Sequence, residues 1–433
     1  MNIFIVTVGS RGDVQPFVAL GKGLKAAGHD VTLCASANFE TFVTENGLTY
    51  AHMDDELITM MKSDTGRAIV EEATNVFKML VLGFRLMKRM TPMQRAMQRD
   101  AWAAAREADP DVIIYHPKMH TAPDFAEKLG VPCILTLPLP MLVPTSEHAS
   151  FGFPQWRLGG WYNRLTHTLV LKISEAFTRR YVKRWRKEHG LSPLPRGHDC
   201  LHTAQGAPIP VMHCYSRHVG AHPSDWPDWV TVTGYWFLDR TEDWTPPQGL
   251  VDFLGAGPPP VYVGFGSIAG RSPEQTTRTV IEALELAGAR GILATGWGGL
   301  DAGELPETVF QIDAAPHDWL FPRVGAVVHH GGAGTTAAGL RFGRPTIVCP
   351  FFADQPYWGR RVHELGVGPE PIPQKKLTVE KLAAAIADAL QNAEMQQKAA
   401  ALAQEISTED GIANALAFIE KYSAVEPVEG DRG

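Results

Sequence analysis

AVVHHGGAGTTAAGL, residues 326–340, is the stretch that decides the fold. An apolar β-forming run, Ala326 to Val328, enters two histidines and a glycine cluster, and a helix of small residues opens behind them. Strand, glycine turn and helix begin a βαβ unit and therefore a parallel sheet. Gly331, Gly332 and Gly334 let the backbone approach an anion, while the free amides of the following turn carry the positive end of the helix dipole. The segment reads as a phosphate cradle. The same glycines nearly spell a dinucleotide fingerprint, with Asp354 about twenty residues onward where a ribose-binding acid would sit. The glycines alone leave both nucleotide chemistries open.

The flanking residues separate them. His330 stands at the strand end just before the glycines, where an imidazole can donate to a diphosphate oxygen. Downstream, PTIVCPFFADQPYWG sets Asp354 beside Gln355. A carboxylate next to an amide offers groups to adjacent hydroxyls, which suits a hexose better than one ribose.

Working outward, residues 261–265, 273–287, 291–295, 309–312 and 346–349 complete a second strand–helix series around the cradle. The first half repeats the rhythm at residues 3–8, 14–27, 31–35 and 39–46, breaks into a methionine-rich helical region at 66–108, and returns to strand at 112–115 and 133–137. A long loop, 138–160, precedes a basic helix over 163–189, whose cations are those of a solvated face near a helix C-terminus. The α/β pattern predicts residues 1–235 as a first Rossmann-like domain, 236–259, with WTPPQGL and GAGPPP, as a linker, and 260–410 as a second domain. A terminal helix is expected over 411–422 and a disordered tail over 423–433. Two doubly wound halves predict a cleft, with the informative residues just after strands.

A chain of 433 residues exceeds one simple core and supports two domains. The net charge of -7 gives no reason to expect a nucleic-acid partner. Cys34, Cys133, Cys200, Cys214 and Cys349 are odd in number and never form a Cys-x-x-Cys pair, which predicts reduced thiols in a cytoplasmic protein and argues against a structural zinc. MNIFIVTVGS lacks a basic leader region, and the apolar stretch at 134–143 is too short to cross a bilayer, so neither a signal peptide nor a membrane span is expected.

HHGGAGTTAAGLRFGRPTIVCPFFADQ resembles the nucleotide-sugar box of family 1 glycosyltransferases. GSRGDVQP, residues 9–16, looks like the amino-terminal signature of their sterol and antibiotic branches. With PHDWLF at 316–321, the pattern is similar to sterol 3β-glucosyltransferases and to glycopeptide-antibiotic glycosyltransferases. The resemblance implies a GT-B fold, an acceptor domain followed by a donor domain, and an inverting transfer from a UDP-sugar, UDP-glucose by default. The resemblance is weak over residues 54–228, and there the methionines and loop aromatics of the first domain predict a small lipophilic alcohol such as a sterol, terpenoid or polyketide as acceptor. It assigns the diphosphate to His330 and the amides around Gly332, Ala333, Gly334 and Thr335, and sugar hydroxyls to Asp354 and Gln355. Ser267, and Ser10 with its neighbours Arg11 and Gly12, would reach the phosphates. Pro316 and His317 stand where plant members have Pro-Gln beside the uracil. Their base-stacking aromatic is Ala314 here, and Trp297 is the candidate substitute.

Asp13 is the only ionisable proton acceptor in GSRGDVQP and the candidate base, although a residue placed just before Val14-Gln15-Pro16 also reads as a helix N-cap. Partial desolvation is expected to raise its basicity. The sole Asp-x-Asp pair, Asp109-Pro-Asp111, precedes a strand and reads as a turn, so no metal or other cofactor is expected. For the acceptor, Met87, Met141, Phe151, Phe153 and Trp156 are candidates, with core filling as the competing reading of the methionines. The basic flanks of these segments are compatible with peripheral contact with an anionic membrane. Two rivals stay open: a nicotinamide oxidoreductase, which needs its fingerprint after the first strand of its domain, and a noncatalytic nucleotide-binding protein, which has no need of a base.

Overall fold

The computed structural model describes residues 1–56, 76–239, 244–266, 273–295 and 305–424, with the side chains of 76–90 and 273 left aside. The chain forms two compact units.

The first comprises residues 1–214, 223–236 and the chain from Gly411 onward. Its strands are β1 (Asn2–Val6), β2 (Asp30–Ser36), β3 (Thr49–Met53), β4 (Val112–Tyr115), β5 (Cys133–Leu137), β6 (Val211–His213) and β7 (Val230–Val232), all parallel, in the order β3-β2-β1-β4-β5-β6-β7. A parallel sheet covered on both faces needs unbroken apolar strands. Ile3 to Val6, Val112 to Tyr115 and Cys133 to Leu137 supply them, every residue buried. The helices are α1 (Arg11–Ala26), α2 (Glu40–Glu45), α3 (Val76–Ala108), α4 (Ala122–Leu129) and α5 (Gly160–Glu188). Val14, Phe17, Val18 and Leu24 form the buried stripe of α1, and Met97, Ala101 and Ala105 that of α3.

The second unit comprises residues 215–222 and 237–410. Here β8 (Val261–Gly264), β9 (Gly291–Ala294), β10 (Val309–Ile312), β11 (Ala326–His329) and β12 (Thr346–Val348) form a parallel sheet ordered β10-β9-β8-β11-β12. Its helices are α6 (Gln248–Gly255), α7 (Pro273–Leu286), α8 (His317–Leu320), α9 (Ala333–Arg341), α10 (Gln355–Glu364), α11 (Val379–Gln391) and α12 (Ala393–Ser407).

Two segments differ from the sequence division. The stretch read as a linker contains α6, whose Leu250 is fully buried among Ile292 and Leu320, and whose Phe253 packs on Phe310 at 5.3 Å. Leu250, Phe253 and Leu254 share one helical face, so the segment is a docked amphipathic helix. Residues 215–222 belong to the second unit, where Tyr215 meets Trp358 edge-on at 6.2 Å and Val219 O accepts from Arg361 Nε at 3.0 Å.

The last helix, α13 (Gly411–Ser423), joins the first unit. Gly411 O accepts from the Trp236 indole at 3.0 Å and Asn414 donates to Thr233 O at 2.9 Å. A Cβ on Gly23 of α1 would fall 2.2 Å from Ile412 Cγ2, so the helix pair needs glycine there. No helix among the described residues is long and apolar enough to cross a membrane.

Candidate active site

In each sheet the strand order reverses once, between β1 and β4 and between β8 and β11. Loops leaving two such strands diverge to opposite faces and open a crevice at their carboxyl ends, where doubly wound sheets bind ligands.

At the first reversal, Ser10 is the N-cap of α1 and Asp13 its N3 residue. The helix starts at Arg11, earlier than the reading of Asp13 as cap required. Asp13 Oδ2 accepts from Ser10 N at 2.7 Å and Ser10 Oγ at 3.0 Å, closing the helix end. Gly9 has φ +147, and a Cβ there would lie 2.1 Å from Asp13 Oδ2, so only glycine admits the carboxylate. Asp13 Oδ1 meets two residues that the sequence reading missed, accepting from Lys118 Nζ at 2.9 Å and facing His116 Nε2 at 3.3 Å. His116 N donates to Val6 O at 3.0 Å, which continues the β1–β4 ladder and sets the ring beside the β1 loop. Lys118 N donates to His116 Nδ1 at 3.3 Å, so that nitrogen is the acceptor and Nε2 carries the proton toward Asp13. Burial keeps this imidazole neutral, lowering its pKa despite Asp13. Burial alone would lift the Asp13 carboxyl, but Lys118 and His116 override it and hold the group far below the ordinary carboxylate range. This reverses the expectation that desolvation raises its basicity. Arg11 is engaged with Gln15 at 3.0 Å and with the Phe42 ring at 4.8 Å, and Gly12 touches only Ser10 Oγ if given a Cβ, at 3.7 Å.

At the second reversal, His329 ends β11 and its Nδ1 accepts from Gly331 N at 2.8 Å, which fixes the turn. Gly331 has φ +94, and Gly332 is the N-cap of α9. No described residue accepts from the amides of Gly332, Ala333, Gly334 or Thr335, while Thr336 N already bonds to Gly332 O at 3.0 Å. His330 is wedged between two glycines: a Cβ on Gly266 would lie 3.0 Å from its Cε1, and one on Gly332 2.7 Å from its Nε2. Its Nδ1 is buried without a partner among the described residues, and burial pushes its pKa down to about 4 against the opposing effect of a hydrogen bond between the ring and the Gly264 backbone. Four open amides at one helix N-terminus, with the unpaired Nδ1 of His330 beside them, form a receptor for a multivalent anion.

Asp354 is the N-cap of α10, with Oδ2 accepting from Trp358 Nε1 at 3.1 Å. Gln355 is buried, and its Oε1 takes the amides of Phe351 at 2.8 Å and Phe352 at 3.3 Å, leaving Nε2 as its free end among the described residues. Gln355 O and Cβ would lie 3.0 and 3.1 Å from a Cβ on Gly331, so Gln355 packs directly against the cradle, with Asp354 next to it in the chain. Pro316 caps the short α8, and His317 stacks on Phe321 at 4.3 Å. Ser267, Trp297 and the side chain of Met87 lie outside the described residues.

Asp111 lies at the opposite end of the first sheet, accepting from Asn2 N at 2.7 Å, and Asp109 has φ +42, as a turn residue does. The first unit holds a cavity of 290 Å³ lined by Tyr115, Leu135, Leu142, Val182 and Cys200, with the Asp124–Arg186 pair, 2.6 Å apart, at its wall. Met141, Phe151, Phe153 and Trp156 are not brought to it. Met141 packs on the main core, Phe151 and Phe153 are half-buried, and Trp156 is exposed against Tyr162.

Two parallel α/β units of this topology, each with its crevice at a strand-order reversal, define the GT-B fold. The solved glycotransferase of kitacinnamycin has it, with a TM-score of 0.72 at 22% identity, covering 97% of this chain and 98% of that one. Residues 3–143 match the glycosyltransferase family 28 N-terminal domain, and residues 294–414 match the erythromycin biosynthesis protein CIII-like C-terminal domain. The chain belongs to the family 1 glycosyltransferases. It is 37% identical to a sterol 3-beta-glucosyltransferase of Emericella nidulans over 97% of this chain and 30% of that protein. A sterol 3-beta-glucosyltransferase of Arabidopsis thaliana is 37% identical over 98% of this chain and 66% of its own length. The chain thus spans about 30% of the fungal relatives it matches.

Proposed function

We propose that the chain transfers a hexosyl group, with inversion, from a nucleoside diphosphate hexose such as UDP-glucose to the hydroxyl of a sterol-like lipophilic alcohol. The observation that carries this reading is the cradle at the β8–β11 reversal: open amides from Gly332 to Thr335 beside the His330 imidazole, whose Nδ1 has no partner among the described residues. These donors match the oxygens of a diphosphate, and they stabilise the charge that grows on it as the bond to the sugar breaks. They can do so without a metal ion. Asp354 and the Nε2 of Gln355, which border the cradle, are suited to sugar hydroxyls. The names of the relatives support the sterol as acceptor.

In the displacement, the acceptor oxygen bonds to the anomeric carbon as the carbon–oxygen bond to the diphosphate breaks, and the hydroxyl proton goes to Asp13. A carboxylate held so low is a weak base at rest, so the acceptor hydroxyl has to take over the place of Lys118 on Oδ1 as it binds. Proton transfer then follows the formation of the new bond, when the hydroxyl has become acidic. His116 stays on the carboxylate and keeps its orientation.

The test is a donor and acceptor screen read by mass spectrometry, with UDP-glucose and TDP-glucose against sterols, terpenoids, macrolides, free sugars and peptides. A glycosylated sterol or terpenoid together with released nucleoside diphosphate is the expected result. Transfer only to free sugars or peptides, or UDP affinity unchanged in His330→Ala, would overturn it.

A further inference from the structure

Helix α5 is amphipathic the wrong way round for a solvated helix. Tyr162, His167, Leu171, Val182 and Trp185 are buried, yet Trp161, Leu165, Leu169, Ile173 and Phe177 are all exposed, Trp161 at 66% and Ile173 at 51%. Their four-residue spacing draws one apolar stripe, about 24 Å long at the rise of an α-helix. The loop before the helix adds Trp156, at 60%, and Leu158. Trp156 is held there by stacking on Tyr162 at 5.7 Å, whose hydroxyl donates to Pro154 O at 2.9 Å. Single exposed apolar residues are ordinary, but a continuous stripe marks an interaction surface.

The charges beside the stripe choose its occupant. The protein carries a net charge of -7, but α5 contains only Glu175 and Glu188 as acids. One to three turns beyond Phe177, on the side of the helix that carries the stripe, lie Arg180, Lys183, Arg184 and Lys187, all exposed. Arg184 is paired with Glu188 at 2.7 Å, whereas Arg180, Lys183 and Lys187 meet no carboxylate among the described residues. Lys172 flanks the apolar half, as does Arg164, which lies 3.5 Å from Asp225. A second copy of this chain laid parallel on the stripe would bring more cations to these cations, and laid antiparallel it would set them against apolar side chains. An anionic phospholipid surface supplies acyl chains for the stripe and phosphates for the basic end, with the two indoles at the boundary where tryptophans settle.

We infer that the exposed face of α5, with Trp156 and Leu158, docks the protein in-plane on an anionic phospholipid membrane. The inference is independent of the acceptor proposed above.

Co-sedimentation of the full chain with phosphatidylcholine vesicles, with and without phosphatidylserine, tests it. Binding to the anionic vesicles that weakens with salt is expected. L169E/I173E and R180E/K187E alter exposed residues only, so both variants should melt as the parent does. Each should lower the vesicle partition coefficient by roughly tenfold or more. Turnover on a water-soluble aglycone should stay at the parent level. The inference fails if the parent does not partition, or if either variant partitions as well as the parent. It fails too if sedimentation velocity reveals a dimer that L169E/I173E dissolves, for then a second copy covers the face.

Discussion

Asp13 does two jobs with one carboxylate: Oδ2 closes the first turn of α1, and Oδ1 faces Lys118 and His116. Asp13→Asn keeps an oxygen for the cap and removes the proton acceptor, so it separates the roles. Turnover should fall by about a hundredfold or more, the usual scale for a general base, with melting temperature and UDP affinity near the parent values. A stable variant with unchanged turnover would leave Asp13 as a cap alone. Lys118→Met probes the charge. Losing the cation lets the Asp13 pKa rise, and the reaction needs the ionised form, so the acid limb of the pH–rate profile should move to higher pH. A limb that stays in place would detach Asp13 from that titration. Asp13 was legible in the sequence because it is the lone acid in its loop. Its exact position on the helix was not, since Ser10 and Asp13 are both good capping residues and stand three apart, the spacing of a capping box. His116 and Lys118 lie more than a hundred residues away, and only the pairing of β1 with β4 brings them in.

At the scale of elements, both candidate sites occupy the same topological position, the gap where neighbouring parallel strands send their chains to opposite faces. The parallel strands were readable because burial on both faces demands unbroken apolar runs, and β1, β4, β5 and β11 have them. Helix α6 was not, because its eight residues sit among prolines and glycines that mimic a linker. The cradle was readable from its glycines, but the reason for two of them was not. Gly266 and Gly332 approach the same imidazole from strands β8 and β11. Gly332→Ala should therefore push His330 out of line and weaken UDP binding at least tenfold, about 1.4 kcal/mol, by calorimetry. Undiminished affinity would show that the imidazole does not touch the diphosphate.

At the scale of the whole molecule, buried histidines set the acid response. Burial pushes His120, His167 and His330 down to about 4, against an ordinary value of 6.5. Between those values the unfolded chain binds protons that the folded chain refuses, so stability is complete above pH 6.5 and falls as the pH drops toward 4. Every tenfold loss of proton affinity on folding corresponds to about 1.4 kcal/mol for the group concerned. Asp124, raised to about 7 by burial, works in the opposite direction throughout this range, but it is one group against several. The melting temperature should decline from pH 6.5 downward, and H167Q/H330Q should flatten that decline. An equally steep decline in the variant would assign it to other groups.

The backbone passes from one unit to the other after Cys214, His222, Trp236 and Asp410, so neither unit is a contiguous stretch of the gene. A fragment ending near residue 235 lacks the helix that presses Ile412 onto Gly23, accepts the Trp236 indole and donates to Thr233 O. Swapping halves with a relative to change specificity therefore requires three inherited pieces. The first unit must bring its own carboxyl-terminal helix, and recombination at a single junction would leave that unit with a foreign helix against Gly23 and Trp236.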